Sequence, residues 1–237
     1  MQKPTHIALL VGSPKGSKST SNSIGTYLVD KLEQKGVPYN KIYIRQCPRS
    51  DEKKANLVRV VDESDLIILA FPLYVDSLPS QVIETLELIA EHEKDKHDLD
   101  KKSFVAISNS GFPEAKQNFT ALTICRLFAK QVGFNWAGGL AWGGGQMIAG
   151  EPLSEFGFRI RSKIKALEMA VDALEQGEAI PEKAVALMSK LGIMRRLYLL
   201  MANRRWKNQA KKNIPIKTMY DQPFKEGLQL IGGEKSC

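Results

Sequence analysis

Cysteine is scarce in this chain of 237 residues: Cys47, Cys125 and Cys237 stand far apart, with no CxxC pair among them. That excludes the ligand spacing of structural zinc and iron–sulfur sites, and it fits free thiols in a reducing compartment. Histidine is equally sparse. His6, His92 and His97 are scattered, and no His/Cys/carboxylate cluster is expected to hold a metal. No apolar run reaches the roughly 18 residues that a membrane-crossing helix needs. Met1–Thr5 lead straight into the apolar run His6–Val11, without the regions of a secretory leader, so a cytoplasmic location is expected. Neither GxxxxGK[ST] nor GxGxxG occurs, which argues against a Walker loop and against a dinucleotide held in the usual Rossmann manner.

What is present is ordinary in bulk: 43% hydrophobic and 25% charged residues, enough for one α/β domain with an appendage. The net charge of +8 is unevenly placed. Ile180–Lys217 holds ten Lys/Arg and one acid, Glu182, whereas residues 1–179 balance at 22 against 22. The basic character belongs to one C-terminal segment and says little about the partners of the rest.

Strand-like and helix-like stretches alternate through the first three quarters. His6–Val11, Asp65–Phe71 and Phe104–Ser108 are short, strongly apolar runs, as expected of strands buried on both faces. Tyr39–Ile44 alternates and reads as a peripheral strand, and Phe134–Trp142 is a fifth candidate. Helices are expected over Ser19–Gln34, Asp51–Asp62, Ser80–Glu91, Glu114–Val132 (ended by Gly133) and Glu151–Gln176 (ended by Gly177). The order implies a three-layer, doubly wound five-stranded parallel sheet with helices on both faces. Pro181 opens a further helical stretch that could run to about Asn213. The tail, with Pro215, Pro223 and Gly232-Gly233, reads as irregular. The expected division is 1–179 and 180–237, with the boundary near Gly177–Pro181.

In such a sheet, ligands bind beyond the carboxyl ends of the strands, so the loops after the strands carry the information. After the first strand, Gly12–Ser23 offers Ser13, Ser17, Ser19, Thr20, Ser21 and Ser23, with Lys15 and Lys18, at the start of a helix. Unpaired amides, the helix dipole and hydroxyls there suit a phosphate monoester, although one hydroxyl would serve as an ordinary cap. After the next apolar strand, Pro72-Leu73-Tyr74-Val75-Asp76-Ser77-Leu78-Pro79 is apolar and stiffened by two prolines, a ledge suited to a flat ring. Asp76 is open to two readings, a polar contact or, as favoured, a turn residue. After the third, Ser108–Glu114 combines Ser110, Gly111 and Phe112. Gly143-Gly144-Gly145 follows the fifth strand candidate.

These loops, GSPKGSKSTS, FPLYVDSLPSQ and SNSGFPE in that order, resemble the NAD(P)H-dependent FMN reductase family of flavodoxin-like proteins over roughly residues 5–175. The resemblance implies sheet order 2-1-3-4-5 and noncovalent FMN. It implies a phosphate held by Ser13, Ser19, Thr20 and Ser21 with Lys15 nearby, a ring bordered by Pro72, Leu73, Tyr74 and Val75, and Ser110 and Gly111 at its polar edge. NADPH or NADH would donate hydride, and a flat small-molecule acceptor such as a quinone or free flavin would take the electrons. No catalytic triad is expected, because the flavin carries the chemistry. Tyr74, Phe112 and Trp142 are candidates to border the stacking site. Electron carriage without nicotinamide turnover, and an FMN-binding interaction module, are the competing readings. Related iron–sulfur flavoproteins carry a compact cysteine motif, and only Cys47 stands in that region here. A homodimer is the natural expectation for the family.

The C-terminal segment departs from the family pattern. Leu187, Leu191, Met194, Tyr198 and Met201 would form one stripe on a continuous helix. The segment is read as packing over the core or across a dimer, as lying on an anionic membrane surface, or as binding an acidic partner. Nucleic acid is not expected, since no motif for it is present.

Overall fold

The computed structural model describes residues 1–94, 96, 102–191, 195–212 and 221. Two compact units divide the chain, Met1–Gly192 and Ile193–Cys237. The first contains β1 (Ile7–Val11), α1 (Thr20–Glu33), β2 (Tyr39–Tyr43), α2 (Asp51–Asp62), β3 (Leu66–Pro72), α3 (Ser80–Glu93), β4 (Ser103–Asn109), α4 (Phe119–Gln131), β5 (Asn135–Trp142), α5 (Arg161–Glu175) and α6 (Glu182–Ser189). In the second, α7 spans Arg195–Ala210.

The five strands form one parallel sheet of order β2-β1-β3-β4-β5. The apolar runs are continuous because each central strand feeds two cores. Alternate residues face opposite sides of a pleated strand. Ile7, Leu9 and Val11 therefore pack with Ile24 and Leu28 of α1 and Leu167 and Val171 of α5. Ala8 and Leu10 pack on the other side with Leu57 and Val61 of α2 and Val82 and Leu86 of α3. On that second side Phe104 meets Phe128, Phe134 and Trp136 at ring-centroid separations of 5.3, 6.4 and 6.2 Å. Cys47 and Cys125 are buried free thiols, and burial pushes Cys125 up to about 12, so it behaves as a small core residue.

Three helical expectations are corrected. The helix expected from Glu114 begins at Phe119. Ala115–Asn118 is a 3-10 turn, and the buried Asn118 amide donates to Ser110 Oγ (3.2 Å) and to Ala115 O (3.0 Å) while its Oδ1 accepts from Ser108 Oγ (2.8 Å). These ties to β4 satisfy the turn locally and delay the helix. The helix expected from Glu151 begins at Arg161. The preceding 3-10 segment Leu153–Ile160 is interrupted at Gly157, whose φ of 48° and ψ of −128° lie outside helical space.

The stretch expected to run from Pro181 to Asn213 is two helices. α6 stops at Ser189, and Lys190 is extended with φ −66° and ψ 127°. The stripe Leu187–Met201 is therefore not one helical face, and Met194 lies outside the described residues. At the break stands Lys163, only 3% exposed. Its ammonium donates to Met188 O and, at 2.5 Å, to Lys190 O, and it stands 5.7 Å above the Trp142 ring. A cation there satisfies carbonyls left unpaired at the end of α6 and complements the helix dipole. α6 belongs to the first compact unit. Ile180, Ala184 and Met188 are buried in the first unit's core, and Ile180 N–H donates to Ala137 O (2.7 Å) on the free side of β5. Pro215, Pro223 and Gly232-Gly233, expected in an irregular tail, lie outside the described residues.

Candidate functional site

The chain runs from β1 outward to β2 and then crosses back past β1 to β3, so the winding direction reverses and the topological switch point lies between β1 and β3. The three singled-out loops leave the carboxyl ends of β1, β3 and β4, and hydrogen bonds join them. Asn109, the last residue of β4, is buried. Its amide donates to Ser21 Oγ (2.8 Å) at the start of α1 and to Phe71 O (3.0 Å) of β3. Leu73 N–H donates to Asn109 O (2.8 Å). The loop after β5 closes the group: Gly145 N–H donates to Ser110 O (2.8 Å), and Thr20 Oγ1 donates to Gly145 O (2.8 Å).

The β1 loop is built to leave amides at a helix start. Ser19 is the N-cap: its Oγ accepts from Asn22 N–H (3.1 Å) and donates to Gly16 O (2.6 Å). Thr20 and Ser21 are the first two helical residues, so their N–H groups have no intrahelical acceptor. Gly16 N–H donates to Ser13 O (3.0 Å) and Lys15 N–H to Ser13 Oγ (3.4 Å), folding the loop on itself. Ser13, Ser19, Thr20 and Ser21 are buried, and Lys15, Ser17 and Lys18 are exposed. Several expected phosphate-facing hydroxyls thus have structural partners as well: Ser19 caps, Thr20 holds the β5 loop, and Ser21 accepts from Asn109. Arg45 escaped the sequence reading. It comes from the edge after β2, donates to Pro14 O (3.4 Å), and lies where a Cβ on Gly16 would sit 3.4 Å from its guanidinium carbon. Its distance along the chain gave no signal.

The β3 loop is a two-residue hairpin. Tyr74 and Ser77 exchange backbone hydrogen bonds at 3.0 Å, and the residues between them, Val75 and Asp76, have φ of 47° and 58°. Positive φ at both central positions is the type I′ signature, normally taken by Asn-Gly. A β-branched valine there is strained, and Val75 is 98% exposed. Asp76 is thereby placed as a turn residue. Pro72 and Leu73 are half-buried below, and Tyr74 is 45% exposed. Ser110 is buried, while Gly111 and Phe112 are exposed. A Cβ on Gly111 would sit 3.0 Å from the Gln146 amide nitrogen, which brings the β5 loop over this one. Gly150, at φ +94°, would place a Cβ 2.6 Å from the Lys18 carbonyl carbon, so that loop also seals the phosphate-side loop.

Trp142 does not border a stacking surface. It is 2% exposed and belongs to the core beside α5 and α6.

The opposite end of the sheet, at the amino ends of β3 and β4, holds a grouping that spacing concealed. Asp62 ends α2 and His92 and Glu93 end α3, and their ligand-type atoms lie within 4.8 Å of one another. The Lys96 ammonium sits among them, contacting Asp62, His92 Nε2 (2.6 Å) and Glu93 Oε1 (3.1 Å). Burial works against ionising Asp62, but the Lys96 and His92 hydrogen bonds outweigh it and hold the carboxyl below its usual range.

The residues at the loop cluster fit a phosphate-bearing planar ligand on two observations. A helix start offers amides without intrahelical partners between Lys15, Lys18 and Arg45, and a half-exposed aromatic stands on a raised hairpin beside it. No family model matches the sequence, and no curated protein matches it. Solved structures do. The FMN-dependent NADH-azoreductase from Bacillus anthracis str. Ames Ancestor, in complex with FMN, aligns with TM-score 0.55 at 11% identity over 72% of this chain and 99% of that one. The NADH:FMN oxidoreductase EMOB, in its apo form, aligns with TM-score 0.53 at 16% identity over 81% of this chain and 98% of that one. At these identities the likeness is one of architecture, and the chain has the flavodoxin-like α/β fold.

Proposed function

We propose that the first unit binds FMN noncovalently at the loop cluster and acts as an NAD(P)H-dependent FMN oxidoreductase with a flat small-molecule acceptor. The observation that carries this is the Asn109–Ser21 hydrogen bond, which locks a hydroxyl-rich helix start to the ends of β3 and β4 at the switch point. The two structural neighbours named above are an FMN-dependent NADH-azoreductase and an NADH:FMN oxidoreductase, which supports the reading.

When bound, FMN would accept and release the electrons. The chain's own task is to hold and orient it. The Thr20 and Ser21 amides and the α1 dipole stabilise the phosphate, with Ser13, Ser19 and the cations Lys15, Lys18 and Arg45 around it. Pro72, Leu73, Tyr74 and Val75 border the ring, with Asp76 turning the hairpin that carries them. Ser110, Gly111 and Phe112 border its other edge. Domain 1–179 carries this site, and α6 completes its scaffold. A homodimer and a cytoplasmic location belong to the same reading. Buried free thiols Cys47 and Cys125 support the location, and light scattering tests the dimer.

The test is a visible spectrum after incubation with FMN and desalting, followed by anaerobic NADPH or NADH. Retained flavin that bleaches supports the reductase. Retained flavin that neither nucleotide bleaches favours an electron carrier. No retained flavin removes the site.

A further inference from the structure

The second unit, Ile193–Cys237, holds the strongest charge concentration in the chain. Arg195–Lys212 carries seven Lys/Arg and no acid. Within α7 the exposed apolar side chains fall between two basic stretches, Arg195-Arg196 and the cations from Arg204 onward. Leu199, Leu200 and Met201, in the first half, are 37%, 66% and 52% exposed. Consecutive residues point about 100° apart on a helix, so these three put apolar surface on three sides. Arg204, Arg205 and Lys207 follow, all exposed, with Lys211 and Lys212 in the turn beyond and the half-exposed Trp206 among them. No described helix is long and apolar enough to cross a membrane.

We propose that α7 docks on the surface of an anionic lipid bilayer. The cations meet acidic headgroups, while Leu199, Leu200, Met201 and Trp206 enter the boundary between headgroups and acyl chains. Charge complementarity selects the acidic surface. The exposed apolar side chains select lipid over nucleic acid, because a phosphate backbone offers them nothing to bury against. Long basic side chains keep their charge in the headgroup layer while their stems cover apolar surface.

The full-length chain is mixed with vesicles of phosphatidylcholine, and with vesicles of phosphatidylcholine and phosphatidylserine in roughly 7:3 proportion, and sedimented. Binding is expected to the anionic vesicles alone, and it should fall about tenfold or more as salt rises from about 0.05 to about 0.5 M. The triple variant Arg204→Gln, Arg205→Gln, Lys207→Gln should lose on the order of 10²-fold in partitioning. The pair Leu200→Ser, Trp206→Ser should lose about tenfold or more. Circular dichroism confirms that each variant is folded, and flavin retention reads the first unit separately. Absence of wild-type binding to anionic vesicles overturns the proposal. So does duplex DNA binding that exceeds vesicle binding and survives the Leu200/Trp206 pair. A doubled solution mass that the same pair abolishes, without vesicle binding, overturns it in favour of a second copy.

Discussion

Replacing Asn109 with alanine removes the side chain that ties the start of α1 to the ends of β3 and β4. Its amide donates at 2.8 Å to Ser21 Oγ and at 3.0 Å to Phe71 O, and all three groups are buried. Each acceptor left unpaired in the interior costs about 1–3 kcal/mol, so the variant should lose about 3 kcal/mol. For a unit of this size that lowers the melting midpoint on the order of 8 °C. Ser21→Ala removes a single partner and should cost about 1 kcal/mol. The two losses should not add. In the double variant the shared bond is already gone, leaving a coupling of about 1 kcal/mol. Urea unfolding of the four proteins, with and without FMN, measures this directly. Asn109→Ala should also release FMN on desalting, because the helix start is no longer held against β3 and β4. Additivity within about 0.5 kcal/mol, or an Asn109→Ala loss below about 1 kcal/mol, would refute the claim that this bond organises the site.

Burial pushes Lys163 from 10.5 down to about 8, against the carbonyl acceptors that favour its ammonium form. The unfolded chain then binds more protons than the folded one between those values, so stability rises with pH across that window. Relative to Lys163→Met, the wild type should gain up to about 3 kcal/mol between pH 8 and 10.5, and a flat difference in denaturant midpoints contradicts it. Gly150→Ala must place a Cβ 2.6 Å from Lys18 backbone at φ +94°. It should cost about 1–3 kcal/mol and weaken FMN retention, which a thermal melt and desalting check together. Exchanging Val75-Asp76 for Asn-Gly relieves two non-glycine residues at positive φ. It should raise stability by about 1–2 kcal/mol while slowing nicotinamide oxidation, since the apolar ledge is lost. Unchanged turnover would mean that Val75 is not part of the site.

The strands and most helices were legible because burial on two faces writes itself as unbroken apolar runs. Asp51–Asp62 has the ends that its periodicity predicts, and Leu57, Val60 and Val61 are its buried face. The helix starts at 114 and 151 were misplaced because the deciding contacts are distant or conformational: Asn118 bonds back to β4, and Gly157 leaves helical space. The long C-terminal helix failed for the same reason. Nothing near Lys190 announces that Lys163, 27 residues away, takes its carbonyl. The loop hydroxyls were visible as a composition, but not as a division of labour in which Ser19 caps and Thr20 and Ser21 tie other loops down. Trp142 looked like a ligand-facing aromatic from its place beside three glycines, whereas it closes the core beneath Lys163.

The sequence by itself determined the layer order, the parallel sheet and which loops lie beyond the carboxyl ends of the strands. All of these follow from short-range periodicity and from the right-handedness of crossovers. Only the tertiary structure decided that Arg45 joins the phosphate-side loop, that Asn109 locks the strand ends, and that Asp62, His92 and Glu93 surround the Lys96 ammonium. Those pairings span tens of residues. They depend on where whole elements come to rest, which no local pattern encodes.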